Sequence, residues 1–157
     1  MLAASQALAF LAVLAVGVIY GTDVFSAVVL RPAMAALADR ELTQAAGRIH
    51  EYGDQRLPFP GIAGIAAAAA AAVCAGLAGH PAPVALAGSA FAALLVWLGL
   101  YLRIAAPINR RMTKAARDHQ TPADIRAMQK RWDSIITTRA ALQGSAMALL
   151  IATLISA

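Results

Sequence analysis

The chain has 157 residues, enough for one compact unit, and is 61% hydrophobic but only 13% charged; soluble domains average about 25% charged. Its net charge of +5 comes with apolar blocks too long for an ordinary soluble domain, and no Gly-rich phosphate loop, zinc motif or nucleophile elbow is present. The single cysteine, Cys74, excludes an intrachain disulfide and reads as a small buried hydrophobe.

Asp23 is the only charge from Leu2 to Leu30. This predicts a first membrane span over Ala3–Phe25, since crossing a bilayer takes about 20 apolar residues. It lacks the basic leader of a signal peptide and reads as a retained helix. The helix continues to Pro32, which is expected to end or kink it. Tyr20, Asp23 and Ser26 share one broad helical face. Residues 38 to 57 predict an amphipathic interfacial helix, with Leu42, Ala45, Ala46 and Ile49 as its apolar stripe. His50 and Asp54 are spaced i, i+4 on that helix, a geometry that orients an imidazole for proton transfer. The sequence "PFPG" then turns the chain into a second span, Gly61–Gly79.

No Lys, Arg, Asp or Glu occurs from Leu57 to Leu102, and "HPAP" at His80–Pro83 splits this run into the second span and a third, Val84–Leu102. Trp97 and Tyr101 fall on one face and read as headgroup anchors. Pro107 is expected to break the helix, with Asn109 capping its end or offering an amide to a substrate. Thr121, Pro122 and Asp124 have the spacing of an N-cap, first helical residue and capping box for a long last helix. That helix carries Trp132, Ile136, Arg139 and Gln143 on one narrow stripe and ends in a fourth span, Ala140–Ser156. A polar stripe entering a membrane is expected to face other helices rather than lipid.

The fold expected is therefore all-α: one domain over residues 1–157, a four-transmembrane-helix bundle with a cytoplasmic interfacial helix and a long last helix. Nine of the thirteen basic residues lie from Arg103 to Arg139 and the other four from Arg31 to Arg56. The positive-inside rule puts both segments in the cytoplasm and both termini outside. Lipid accounts for the basic excess without nucleic acid, and oligomerisation is left open. The polar residues map to the cytoplasmic half: His50, Asp54, Asp23 and Arg139 as candidate catalytic groups, Tyr20, Asn109, Trp132 and Gln143 as candidate substrate contacts. Asp23–Arg139 and Asp54–Arg56 are the plausible ion pairs. In a reaction, His50 with Asp54 would remove a proton, and Arg139 with Asn109 would stabilise an oxyanion. No metal site is expected, because a site needs three or more ligands and no second histidine lies at helical spacing from His50; the cofactor is left open.

The pieces "YGTDVFSAVVLRPAMAAL", "GRIHEYGDQRLPFPG", "APINRRMTKAA" and "MQKRWDSIITTR", in this order, resemble a family of small four-span membrane proteins of unknown function that includes the anthrone oxygenases. The last helix of that family often reads Trp-Asn-x-x-His-x-x-Arg. Trp132 and Arg139 match, Asp133 replaces the asparagine, and Ile136 stands at the histidine. The resemblance implies the fold, a membrane location and, more distantly, oxidation of an apolar aromatic or quinone-like molecule. The alternative from the residues alone is a non-catalytic scaffold, accessory subunit or lipid-binding protein, in which the same polar groups are structural pairs.

Overall fold

The computed structural model describes residues 1–156 as five helices, with no strand among the described residues. They are α1 (Leu2–Ala35), α2 (Asp39–Arg56), α3 (Pro58–Leu77), α4 (Pro81–Arg117) and α5 (Ile125–Ile155). All but α2 are long and apolar enough to cross a membrane. Helix α1 packs on α3 and α5, and α4 packs on the same two helices.

Alanine sets how closely these helices approach. Their shared core contains Ala9, Ala12, Ala68, Ala71, Ala87, Ala90 and Ala146, with Val16, Leu94 and Leu150 as its larger members. Single methyl groups keep the helix surfaces shallow, so backbones come near one another. At Gly64 even a methyl is too much: a Cβ there would lie 2.7 Å from Val16 Cγ2. The outward faces are also apolar, with Phe10, Leu14, Val18, Phe59, Ile62, Val73 and Leu77 all more than half exposed. The turn between α3 and α4 uses Gly79 at φ +76°; His80 N–H donates to the Ala75 carbonyl at 3.1 Å, a Schellman closure that glycine permits without a Cβ clash.

Neither proline breaks its helix, which corrects the expected break at Pro107. Helices α1 and α4 each contain a five-residue π-helical turn, Ser26–Leu30 and Tyr101–Ala105. In each, the residue before the proline donates to the carbonyl five back: Arg31 to Ser26 and Ala106 to Tyr101. A proline ring collides with the carbonyl four residues earlier, here Val28 or Arg103. The wider turn carries that carbonyl away and lets the helix continue. Thus α1 reaches Ala35, and α4 runs on as a polar extension to Arg117.

Helix α2 docks on this extension, with α5 beside it. Leu42 and Ala46 form a second core with Ile108, Met112, Ile125 and Met128. The buried face of α2 is Leu42, Thr43, Ala46, Gly47 and His50, rotated from the expected stripe. Ala45 is only half-buried and Ile49 is 42% exposed. The cause is a protein partner: Gly47 lies so close to α4 that a Cβ would meet Met112 O at 2.5 Å and overlap the Ala116 methyl, and Thr113 Oγ1 donates to the Gly47 carbonyl at 3.2 Å. The start of α5 also differs from expectation. The helix begins at Ile125 with no side-chain cap, because Arg111 Nη2 holds both carboxylate oxygens of Asp124, at 3.1 and 3.2 Å.

Candidate functional site

All five helices line one cavity of about 300 Å³ at the charged end of the structure, including Asp23 of α1, His50 and Asp54 of α2, Ile62 of α3, Trp97 and Tyr101 of α4, and Trp132 and Arg139 of α5. Most of the wall is apolar, contributed by residues such as Ile19, Ile65, Leu98 and Leu102. Both π-helical turns reach it, through Ser26 and Leu30 in one and Tyr101 and Leu102 in the other.

Asp23 and Arg139 form the innermost polar group, 4% and 6% exposed. Arg139 Nη2 donates to Asp23 Oδ1 at 3.0 Å; Gln143 Nε2 and Trp97 Nε1 donate to Oδ2 at 2.9 and 3.4 Å. A buried carboxylate is retained only when such donors replace its hydration. The Arg139 guanidinium carbon lies 5.8, 5.7 and 6.0 Å from the ring centres of Trp97, Tyr101 and Trp132, within cation–π range. Among the described residues, Asp23 is the only acceptor of the guanidinium. Its Nε is fully enclosed without a partner, as is Gln143 Oε1.

A second polar group joins α2, α4 and α5. Asp54 Oδ1 accepts from Tyr101 Oη at 2.8 Å and Asn109 Nδ2 at 2.9 Å, and Asn109 Oδ1 accepts from Trp132 Nε1 at 3.0 Å. Asn109 therefore lies inside the continuous α4 and does not cap its end. Arg56 does not pair with Asp54; its guanidinium sits 4.8 Å from the Tyr52 ring centre. The strong neutral donors of α4 reach Asp54 first, while Arg56, at the end of α2, is exposed.

His50 packs against Trp132 with ring centroids 5.3 Å apart and a 45° tilt, so His50 and Arg139 contact the same indole. Among the described residues, none hydrogen-bonds the imidazole, Asp54 included, although both residues line the cavity. Burial lowers the His50 pKa to about 4; Asp54 opposes the shift and Arg139 adds to it. The ring is neutral at pH 7 and offers one donor and one acceptor. Outside the cavity, Arg117 and Arg48 bind Glu51 at 2.8 and 2.9 Å and hold its carboxyl below the usual range.

The structure thus gathers His50, Asp54, Asp23, Arg139, Asn109 and Trp132 around one space. Gln143 reaches the group from behind Asp23, and Ile136 is fully buried. Tyr20 is placed apart: its ring packs on Gly144 and does not line the cavity. Trp97 and Tyr101, read from sequence as headgroup anchors, are donors to the two aspartates. Their four-residue spacing carried the shared face, but not what that face meets. Gln129 and Asp133 also line the space, linked by a 2.8 Å hydrogen bond; their i, i+4 spacing beside Trp132 was the available signal. Among the described residues, no group of three or more His, Cys, Asp or Glu could hold a metal ion.

Comparisons with protein-family models, with curated proteins and with solved structures return no match in any of the three.

Proposed function

We propose that the chain is an integral membrane protein whose four long helices form a transmembrane bundle, and that its cavity receives a flat, apolar, oxygen-bearing aromatic molecule from the bilayer. The apolar outward faces of α1 and α3 support insertion, since water would leave them as a large unpaired surface. Basic residues crowd on α2, the α4 extension and the start of α5, which supports a cytoplasmic charged end and both termini outside.

The observation that carries the ligand reading is the composition of the cavity. Its walls are apolar, yet a guanidinium faced by three aromatic rings stands near an unpaired neutral imidazole. About 300 Å³ is the lower end of the range for small-molecule pockets and admits a two- or three-ring molecule. Arg139 donates to a ligand oxygen, and neutral His50 takes a hydrogen bond or a proton from it. His50 and Asp54 are given separate roles, since no hydrogen bond joins them among the described residues and Tyr101 and Asn109 hold Asp54 through Oδ1.

The resemblance to anthrone oxygenase-like proteins extends this to catalysis. In that reaction a ring CH₂ becomes C=O with molecular oxygen as oxidant: the carbon loses two hydrogens, gains one oxygen atom, and the second oxygen leaves as water. His50 would accept the proton whose loss makes the ring electron-rich, with Arg139 opposite the developing oxyanion. The non-catalytic reading also has an observation in its favour: three protein donors already satisfy Asp23, as in a structural pair.

The test uses detergent-purified protein. Saturable quenching of Trp97 and Trp132 by 1,4-naphthoquinone is expected, and Ile65→Phe, which narrows the cavity, weakens it. Absence of saturable quenching, or equal quenching in Ile65→Phe, rejects the binding reading. With anthrone, uptake of one O₂ per anthraquinone formed, reduced in His50→Gln, is the expected catalytic result. Binding without O₂ uptake assigns the chain to the non-catalytic class.

A further inference from the structure

We infer that Asp54 Oδ2 is a specificity element that makes the cavity prefer hydroxylated aromatic molecules over their carbonyl or ether counterparts. This rests on the ligand-binding reading above and adds to it the chemical class selected.

The argument begins with how Asp54 is held. Both of its protein hydrogen bonds, from Tyr101 and Asn109, fall on Oδ1. Among the described residues Oδ2 accepts none and makes no ion pair, although Asp54 is half-buried and lines the cavity. The carboxylate is therefore fixed through one oxygen while the other is left over. Asn109 is itself pinned by Trp132 at 3.0 Å, so three helices fix the orientation of Asp54.

Arg31 lines the same cavity, yet among the described residues no cation pairs with that oxygen. Arg56 lies over Tyr52, and Arg139 points Nη2 at Asp23. His50, one turn earlier on α2, is neutral and can equally accept a proton or a hydrogen bond. An ionised carboxylate oxygen accepts only; it cannot donate to a carbonyl or an ether. A hydroxyl meets it with a charge-assisted bond, whereas a carbonyl or methoxy oxygen leaves it desolvated and faces it with lone pairs. A site whose acceptor becomes covered when the ligand binds rejects analogues lacking the donor far more strongly than a site that discriminates by size. Phenols and diols are therefore selected at this end of the cavity.

The test compares 1,4-naphthalenediol, kept reduced under argon, with 1,4-dimethoxynaphthalene and 1,4-naphthoquinone, using tryptophan quenching of the full chain in detergent. The diol is expected to bind at least about 10-fold tighter than either analogue, the factor that about 1.4 kcal/mol represents. Asp54→Asn places an NH₂ donor at Oδ2 and keeps an acceptor for Tyr101 and Asn109, so it removes or reverses the preference while still binding the quinone. Tyr101→Phe, which leaves Oδ2 untouched, keeps the preference. Equal wild-type affinity for diol and dimethyl ether overturns the inference without any variant. So does an unchanged preference in Asp54→Asn, whereas binding of none of the three ligands fells the cavity reading itself and this inference with it.

Discussion

Arg139 and Asp23 meet at 3.0 Å across the centre of the fold, both nearly inaccessible. Each neutralises a charge that the other could not bury alone. Removing one partner leaves an uncompensated buried ion, which typically costs about 3–5 kcal/mol, while removing both is far less damaging. Asp23→Ala and Arg139→Ala are each expected to unfold at markedly lower denaturant in detergent. The double variant Asp23→Ala/Arg139→Ala should lose less than the two single losses combined. Strict additivity would show that the two residues act independently.

His50 makes stability depend on pH. The unfolded imidazole titrates near its usual 6.5 and the folded one at about 4. Between these values the unfolded chain binds a proton that the folded chain does not. Stability is therefore fully present above about pH 6.5 and declines as pH falls toward 4. A shift of this size corresponds to about 3 kcal/mol. Asp54 and Arg139 are the charged groups that act on the ring, with Trp132 on one face. Denaturant midpoints measured from pH 8 to 4 should fall more steeply for the wild type than for His50→Gln. Parallel profiles would exclude His50 as the source.

The contrast between what hydropathy revealed and what it hid follows from the physics of each feature. Long apolar runs marked four of the five helices, because length and composition alone qualify a helix to cross a membrane. The Asp23–Arg139 pairing was legible because each is a costly charge within or beside an apolar run. Asp54 was misassigned to Arg56 since sequence proximity on one helix says nothing about Tyr101 and Asn109, 47 and 55 positions away. The π-helical turns were invisible for a similar reason. A proline has two outcomes, a break or a widened turn, and packing beyond it decides between them. The buried face of α2 rotated because its partner was a helix rather than a lipid surface.

Gly47 and Gly53 sit on the same helix and should respond oppositely to alanine. A Cβ at Gly47 meets Met112 O at 2.5 Å and overlaps the Ala116 methyl, so α2 must lift from α4. Overpacking of this kind costs about 1–3 kcal/mol. At Gly53 the nearest atom is Leu57 Cδ1 at 3.7 Å, ordinary contact, and alanine gains up to about 1 kcal/mol of helix propensity. Hydrogen exchange across residues 39–56 should quicken in Gly47→Ala and slow in Gly53→Ala. Equal rates in Gly47→Ala and wild type would mean that α2 is not held by this close crossing.

Pro107 sets the register of the site. With alanine in its place, an N–H becomes available for the Arg103 carbonyl and the ring clash disappears, so Tyr101–Ala105 can tighten to ordinary α-helix. Loss of the π-helical offset rotates everything beyond it by about 100°, one residue's share of a turn. Asn109 would then swing from between Asp54 and Trp132, and the bonds at 2.9 and 3.0 Å would break. Pro107→Ala is expected to alter Trp132 emission and to weaken naphthoquinone quenching, even though alanine is the better helix former. Pro32→Ala, in the matching turn of α1, acts beyond Asp23 in the chain and leaves the Asp23–Arg139 pair in register. Unchanged emission and binding in Pro107→Ala would show that α2 and α5 hold the π-helical turn without the proline.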